Sequence, residues 1–166
     1  MSRSYLHGMI SKKLIIIGAG PTGISCAIAA TKAGIDYTIL EKGVLVNSLF
    51  NFPTNMTFFS TSVNLEIGNI PFISHSDKPT RKEALEYYRR LSDDYQLDIR
   101  YRRAVLSMEA ESSQYIIRTN KESYYADHVI VCTGFYDQAN KLNIPGEELD
   151  KVRHYYDDAH HYIGQK

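Results

Sequence analysis

The stretch Lys13-Leu-Ile-Ile-Ile-Gly-Ala-Gly-Pro-Thr-Gly23 decides the fold, because a short apolar run leads directly into a glycine-rich turn. Residues 14–17 are apolar and mostly β-branched, which is typical of a strand buried on both faces of a parallel sheet. Residues 22–33 then predict a helix with one face of very small side chains, which allows close packing against a sheet. The order of these segments predicts an α/β fold.

A second apolar run, residues 37–40, follows the predicted helix and predicts a second buried strand that ends at Glu41. Gly34 lies where the helix should end, because glycine readily adopts the left-handed conformation that closes helices. Strand, helix and strand together form a unit whose crossover should be right-handed.

The motif Gly18-Ala19-Gly20-Pro21-Thr22-Gly23 matches G-x-G-x-x-G, in the strand-to-helix context that this motif requires. Gly18 permits the tight turn, Gly20 lets the backbone approach a pyrophosphate, and Gly23 lets the helix pack against the strand. The N-terminus of the helix offers free N–H groups to phosphates, and Glu41 can accept hydrogen bonds from an adenosine ribose. These residues predict a dinucleotide site, but the pattern alone does not separate FAD from NAD.

The remaining chain predicts a long loop, one more helix and several short strands. Residues 44–72 indicate a loop with one short helix, and its aromatic residues argue against disorder. Thr80 and Glu83 fit a capping box at the start of a helix over residues 81–95. Alternating segments predict an antiparallel meander, and a last buried strand follows it: residues 98–102, 105–111, 115–119 and 123–126 for the meander, then 128–132.

Composition excludes several classes of function. The 166 residues carry 19 basic and 19 acidic side chains, so a general nucleic-acid-binding surface is not expected. No apolar run approaches the roughly 20 residues that cross a bilayer. Basic residues before residue 14 mimic a secretory signal, but Gly18, Gly20, Pro21 and Gly23 interrupt the apolar stretch. With two cysteines and no Cys-x-x-Cys, the chain is expected in the reducing cytoplasm.

Several longer motifs resemble one family of flavoproteins. The stretch from Val129 to Gly134 is similar to the Val-x-x-Ala-Thr-Gly motif of flavoproteins with two dinucleotide-binding domains, with Cys132 in the alanine position. Other segments resemble the YpdA family of thioredoxin-reductase-like pyridine nucleotide-disulfide oxidoreductases: Glu41–Gly43, Asn47-Ser48, Asn51–Ser62, Pro79–Ala84, Thr133–Tyr136 and Ile144–Gly146.

This resemblance covers nearly everything from Lys12 onward and implies a Rossmann-like FAD-binding domain with an inserted antiparallel meander. Members of the family are regarded as bacillithiol-disulfide reductases that use FAD and NADPH, so a low-molecular-weight disulfide is the expected substrate. The resemblance adds cofactor contacts to those of the glycine motif and Glu41: Lys42, Asn47, Asn51, Thr61, Val105, Thr133 and Gly134. It assigns no catalytic residue.

Thr22 stands where members of the family often carry a cysteine, so a redox role of that thiol would be missing here. Cys26 and Cys132 are both expected to be small packing residues, because free cysteines are usually buried and inert. Four phenylalanines leave two interpretations open, since they could flank an isoalloxazine ring or pack in the core: Phe50, Phe52, Phe58 and Phe59.

Length further limits the expected activity, because enzymes of this family are about twice as long. We expect a tail over residues 1–12, the N-terminal part of the FAD domain over residues 13–147, and a hinge over residues 148–166. The hinge would lead to a missing NADPH-binding domain. The chain is therefore expected to be an N-terminal part that is inactive alone, whether it arises by natural truncation or by excision. A homo-oligomer of the intact enzyme stays open.

Two further features are discounted and two other functions stay open. The histidines and aspartates between residues 154 and 161 match no metal-ligand spacing, so no metal is expected. The pairs Arg89-Arg90 and Arg102-Arg103 are expected to be solvated.

A flavin monooxygenase has a similar Thr-Gly…Pro-Gly segment, but its Phe-x-Gly-x-x-x-His segment is absent from this sequence. A non-catalytic dinucleotide-binding module is the other alternative.

Overall fold

Six strands and three α-helices lie within residues 9–165, the part of the chain that the computed structural model describes. The α-helices are α1 (Pro21–Lys32), α2 (Asn47–Phe50) and α3 (Arg81–Asp94), and two 3₁₀ helices cover Val63–Leu65 and Ala159–Tyr162. The strands are β1 (Ile10–Ile17), β2 (Tyr37–Glu41), β3 (Ile99–Tyr101), β4 (Val105–Glu111), β5 (Gln114–Thr119) and β6 (Ser123–Val131).

The six strands form one mixed sheet in the order β3-β2-β1-β6-β5-β4. β3, β2, β1 and β6 run parallel, and β6, β5 and β4 continue the sheet as an antiparallel meander. The predicted fold class is therefore confirmed: a Rossmann-like parallel sheet with an antiparallel β-meander. β1 lies in the middle of the parallel part, paired with β2 on one side and β6 on the other.

One predicted meander strand belongs elsewhere. Residues 98–102 were expected in the meander, but β3 pairs parallel to β2, with Ile39 beside Ile99. A three-residue edge strand, half exposed, shows the same alternation in either arrangement, so only its pairing partner distinguishes them. β3 thus extends the parallel sheet and leaves a meander of β4, β5 and β6.

The last two predicted strands are one. Residues 123–126 and 128–132 were expected as separate strands, whereas β6 runs without a break from Ser123 to Val131. Its first half is buried around Tyr124 and Ala126, but Ile130 and Val131 are 37% and 60% exposed. The prediction of a strand buried on both faces is therefore wrong for this half, because the helices pack chiefly over β1 and β2.

Two apolar clusters hold the opposite faces of the sheet. Because neighbouring side chains of a strand point to opposite faces, Leu14 and Ile16 join the larger cluster with α1 and α3. Ile15 lies in a smaller cluster together with Leu40 of β2 and Ile117 of the meander. Side chains of the meander thus contribute to the cluster on one face of the sheet, and the helices cover the other face.

The predicted loop over residues 44–72 is ordered by side chains of α3 and the residue that follows it. The hydroxyl of Tyr87 accepts a hydrogen bond from Ile67 N–H at 2.9 Å and lies 2.8 Å from the carbonyl oxygen of Ile70. The Tyr95 hydroxyl donates to the Gly68 carbonyl at 2.5 Å. α3 itself begins with the predicted capping box of Thr80 and Glu83. A helix that starts at a defined residue therefore fixes the course of a loop with little secondary structure of its own.

β1 begins earlier than predicted. Its first residue is Ile10, and the Lys12 ammonium group forms ion pairs with Asp36 at 2.7 Å and Asp98 at 3.4 Å. Burial alone would lower the pKa of Lys12, but these two carboxylates raise it. The predicted boundary of a tail at residue 12 is therefore wrong, and the rest of that prediction, residues 1–8, lies outside the described residues.

Among residues 9–165, none of the helices combines the length and the apolar character that crossing a membrane requires.

Gly23→Ala is expected to lower the free energy of unfolding by at least about 2 kcal/mol, because the added Cβ overlaps backbone. A Cβ at Gly23 would lie 1.9 Å from the Gly18 carbonyl oxygen, and neither atom can move without disturbing the turn. Urea titration followed by far-UV circular dichroism measures the change. Gly20→Ala is the matched control, since a Cβ there meets nothing within 4 Å and its φ is −77°. Its cost should stay within about 1 kcal/mol, and equal losses in both variants would contradict the argument.

Tyr87→Phe is expected to cost about 1–3 kcal/mol of unfolding free energy, because it leaves backbone groups of the loop without their partner. Tyr87 is 1% exposed, and its ring also stacks on Phe72 with centroids 4.3 Å apart, a contact that phenylalanine would keep. Tyr88→Phe is the control: Tyr88 is also buried, but its hydroxyl makes no hydrogen bond within residues 9–165. A similar loss in both variants would show that the hydroxyl of Tyr87 does not hold the loop.

Candidate functional site

A cavity of about 690 Å³ opens at the carboxyl ends of β1, β2 and β6. In open parallel sheets this edge is where ligands bind, because the loops after neighbouring strands meet there. The cavity has three walls: the glycine turn after β1, the segment from Glu41 to α2, and the segments that begin β4 and follow β6.

The glycine turn presents backbone donors to the cavity. Gly18 has a φ of +106° and donates its N–H to the Leu40 carbonyl at 2.8 Å, which fixes the turn to β2. Bonding within α1 begins with Ile24 N–H to the Gly20 carbonyl at 2.9 Å, so the N–H groups of Thr22 and Gly23 precede it. No acidic residue lies in the first turn of α1. A helix start of this kind attracts an anion such as a phosphate.

Glu41 connects the turn to the end of β2. Its side chain is 5% exposed; Oε2 accepts the Ala19 N–H at 2.8 Å and Oε1 accepts the Gly43 N–H at 2.7 Å. A carboxylate offers about four acceptor positions, so these two bonds leave capacity for hydroxyl donors. The glycine turn, the start of α1 and Glu41 form a cradle that fits an adenine dinucleotide. Gly20 leaves open space for its approach, the start of α1 offers donors to the phosphates, and Glu41 is a buried acceptor for the ribose.

A second charged pair lies across the cavity. The Lys42 ammonium group, directly after Glu41, forms an ion pair with Asp137, which follows β6. Both residues line the cavity, and both side chains keep contact with solvent, at 55% and 29% exposure. The Asp137 carboxylate therefore neutralises part of the positive charge that Lys42 presents to the cavity.

The wall formed by α2 is held from two sides. Val46 N–H donates to the Ala19 carbonyl at 3.0 Å, which joins the start of α2 to the glycine turn. At the other end, the Arg81 guanidinium donates to the Leu49 carbonyl at 3.2 Å and to that of Phe50, and it lies over the Phe50 ring. These contacts hold the short helix, and the cavity residue Asn47 with it, in one position.

Arg103 corrects the prediction of a solvated arginine pair. It lines the cavity, donates from Nε to Glu122 at 2.6 Å, and donates to the Tyr101 carbonyl at 3.0 Å. Burial alone would raise the pKa of Glu122, but hydrogen bonds from Tyr124 and Arg103 outweigh it and lower that pKa. Glu122 therefore stays ionised and holds Arg103 in place at the start of β4.

Ten of the thirteen predicted contact residues line the cavity. Gly23 lies behind the turn, in close contact with the Gly18 carbonyl. Asn51 and Thr61 are outside the lining: Asn51 donates to the Asn47 carbonyl at 2.8 Å, and their contacts with a cofactor stay predictions. The residues in the lining are Gly18, Gly20, Pro21, Thr22, Glu41, Lys42, Asn47, Val105, Thr133 and Gly134.

Aromatic side chains at one end of the cavity were only partly anticipated. Phe52 lines it and meets Tyr136 edge to face, with ring centroids 4.7 Å apart. Tyr136 donates to the Asn51 carbonyl at 3.2 Å, and Tyr155 donates to the Tyr136 carbonyl at 2.8 Å. Of the four phenylalanines considered, Phe52 reaches the cavity, and Phe58 packs against the larger core cluster, while Phe50 and Phe59 are exposed.

The two cysteines pack against the same core cluster. Cys132 lines the cavity directly after β6, and Cys26 lies on α1, one helical turn after Thr22. Both are only partly buried there. Burial, together with the neighbouring Cys26 thiol, raises the pKa of Cys132 to about 11. Nothing in their spacing along the chain signals that they share this cluster.

The C-terminal histidines form local contacts. Asp158 accepts the backbone N–H of His160 at 2.9 Å, and the two side chains lie 3.0 Å apart. The backbone and side-chain hydrogen bonds from His160 lower the pKa of Asp158. Within residues 9–165, no three His, Cys, Asp or Glu side chains converge in a way that could hold a metal ion.

Three similar proteins match the chain over about half of their own length. The curated relative bacilliredoxin reductase Bdr of Bacillus subtilis is 43% identical over 156 residues, which is 93% of this chain and 48% of the relative. The solved structure of bacillithiol disulfide reductase Bdr (YpdA) from Staphylococcus aureus has a TM-score of 0.91 at 42% identity, over 93% of this chain and 48% of that one. The Bacillus cereus structure of the same name has a TM-score of 0.89 at 40% identity, over 92% and 48%.

These comparisons agree with the geometry of the site. The chain spans about half the length of the curated Bdr relative it matches. The sequence profile described as pyridine nucleotide-disulphide oxidoreductase matches residues 15–166, which include the glycine turn, the end of β2 and the end of β6. With this match over most of its length, the chain belongs to the pyridine nucleotide-disulphide oxidoreductase family.

Proposed function

We propose that this chain is the N-terminal, FAD-binding part of an NADPH-dependent flavoprotein disulfide reductase that acts on a low-molecular-weight thiol disulfide such as bacillithiol disulfide. The observation that carries the proposal is Glu41, buried and hydrogen-bonded to the glycine turn at the open edge of the parallel sheet. The relatives' names support the reaction, since one names bacillithiol disulfide and another names bacilliredoxin as what is reduced. The proposal places the protein in the cytoplasm.

Different residues around the cavity would bind different parts of the cofactor. The N–H groups of Thr22 and Gly23 would bind the pyrophosphate, and Gly20 would let it approach the backbone. Glu41 would accept hydrogen bonds from the ribose, and the backbone at Val105 would contact the adenine. FAD supplies the two-electron chemistry when bound, while the protein binds and orients it.

The opposite wall would face the rest of the cofactor. Thr133 and Gly134 follow β6 at the level of the glycine turn, and both line the cavity. Phe52 and Tyr136 present apolar ring surface next to them, which would exclude water from a flavin ring. Lys42, paired with Asp137, would place a positive charge near the phosphates. Asn51 and Thr61 are proposed to meet the cofactor only where it extends past this cavity.

NADPH and the disulfide are proposed to bind parts of the protein that relatives carry beyond the length matched here. This chain alone is therefore expected to bind FAD without oxidising NADPH. Thr22 carries no thiol, so the glycine turn itself would take no part in thiol exchange.

Glu41→Gln is expected to weaken FAD binding by about ten-fold or more, the equivalent of ~1.4 kcal/mol. The amide nitrogen cannot accept a hydrogen bond, so either Ala19 or Gly43 loses its partner and the ribose loses an acceptor. Gly20→Ala should weaken FAD binding to a similar extent with little loss of stability, because its Cβ points into the open cradle. Titration of the apo chain, followed by flavin fluorescence, measures both.

The matched control is Glu111→Gln, because Glu111 is exposed at the end of β4, away from the cavity. It should bind FAD like the unmodified chain. An unmodified chain that stays colourless after reconstitution with FAD would contradict the cofactor assignment. Equal affinity for ADP and FAD would instead favour a non-catalytic dinucleotide-binding module.

The reaction is tested on the protein extended to the full length of its relatives. NADPH oxidation should depend on added bacillithiol disulfide and yield two thiols for each NADPH consumed. Bacilliredoxin in its mixed-disulfide form is the second substrate to try, because the B. subtilis relative is named for it. Oxygen-dependent NADPH oxidation with an amine or sulfide, and no response to either disulfide, would identify a flavin monooxygenase instead.

A further inference from the structure

We propose that residues 155–157 act as a clamp that holds the aromatic end of the cavity in place, with Tyr155 as the positioning residue for Phe52 and Tyr136. The inference rests on the proposed function for the identity of the group that this end receives, which is the flat ring system of a flavin. It deepens that function, because it makes the C-terminal segment part of a cofactor site whose glycine motif lies far from it in the sequence.

Two turns form the aromatic end of the cavity. One follows α2 and contains Phe52, and the other follows Gly134 and contains Tyr136; both side chains line the cavity. The two rings meet edge to face with centroids 4.7 Å apart, and the Tyr136 hydroxyl donates to the Asn51 carbonyl at 3.2 Å. Each of these contacts contributes only modestly to stability, so the relative position of the turns depends on what else joins them.

Residues 155–157 contact both turns. The Tyr155 hydroxyl donates to the Tyr136 carbonyl at 2.8 Å, and the rings of these two tyrosines have centroids 5.2 Å apart. Two residues later, Asp157 accepts two hydrogen bonds from Thr54: its carbonyl accepts the backbone N–H at 3.4 Å, and its carboxylate accepts the hydroxyl at 3.3 Å. One short segment therefore joins the two turns.

Tyr155 acts on the cavity through Tyr136. It lies outside the lining of the cavity, and it is 38% exposed. Burial, together with the neighbouring Tyr155, raises the pKa of Tyr136, so the Tyr136 hydroxyl stays protonated near neutral pH and keeps its hydrogen bond to Asn51. Asn51, for which the family resemblance implies a cofactor contact, is thus placed by the same set of contacts.

A wall that is ordered in advance binds a flat ring more tightly. Ordering a loop at the moment of binding costs conformational entropy, and contacts that fix the loop beforehand remove that cost from the binding step. The Phe52 and Tyr136 rings would offer a flavin an apolar surface, since aromatic rings favour offset or edge-to-face contact. Loss of the clamp should therefore weaken binding at this end and leave the contacts of the glycine turn and Glu41 unchanged.

The first experiment compares FAD with ADP, which shares the phosphates, the ribose and the adenine but has no flavin ring. We expect Tyr155→Ala to weaken FAD binding at least about five-fold and to change ADP binding by less than about two-fold. Tyr155→Phe, which keeps the ring contact and loses the hydrogen bond, should give a smaller loss of the same kind. Isothermal titration calorimetry on the chain without cofactor measures both ligands.

Tyr156→Ala is the matched control. Tyr156 is the next residue along the chain, is also exposed, and has its ring stacked on Tyr162 with centroids 6.4 Å apart, whereas the Tyr155 ring lies against Tyr136. This variant should bind both ligands like the unmodified chain. Equal losses of FAD and ADP affinity in Tyr155→Ala would overturn the proposal, and so would an unchanged FAD affinity.

Hydrogen exchange tests the clamp without any cofactor. The backbone N–H groups of residues 51, 52 and 54 are hydrogen-bonded in the unmodified chain. We expect Tyr155→Ala to raise the exchange rate of peptides that cover residues 51–54 and to leave peptides that cover residues 18–24 unchanged. Unchanged exchange at residues 51–54 would overturn the proposal whether or not FAD binds. A chain that shows the faster exchange but binds no FAD refutes only the proposed function.

Discussion

The buried carboxylate of Glu41 is the interaction on which the site depends. Burying an ionised carboxylate costs several kcal/mol unless hydrogen bonds replace its water, and here two backbone N–H groups do so. One of them belongs to the glycine turn at Ala19, and the other belongs to Gly43 just beyond β2. The carboxylate therefore fixes two loops against each other, and the cavity between them has a defined shape before any ligand enters.

Further hydrogen bonds extend from this point. The Ala19 carbonyl accepts the Val46 N–H and so places α2, while the Glu41 carbonyl accepts the Arg103 N–H and so places the start of β4. Gly18 N–H and the Leu40 carbonyl join the same two strands below the carboxylate. The three walls of the cavity thus meet through backbone bonds, which are less tolerant of displacement than side-chain contacts. This arrangement suits a cofactor that must be held in one orientation.

The sequence predicted those parts of the molecule that depend on neighbouring residues. The glycine motif, the capping box at Thr80 and the strand that ends at Glu41 each rest on local chemistry, and the structure places all three as expected. Two predictions, one about strand pairing and one about burial, were wrong. β3 was assigned to the meander, and Val131 was expected to be buried, because a sequence of one strand does not specify its neighbour or what covers it.

Side chains that act across the fold show the same division. Arg103 looks like one of two adjacent surface arginines until Glu122, from the turn before β6, gives it a partner. Cys26 and Cys132 show no recognisable spacing, and only the folded chain places both against the same core cluster.

The sequence by itself determined the strand–turn–helix unit, the acid at the end of β2 and hence the dinucleotide cradle, because turn, cap and periodicity arise within a few residues. Tertiary structure alone decided the strand order, the exposed half of β6 and the arginine held at the cavity. Those features depend on which distant segments share a surface, and that is settled by packing of the whole chain.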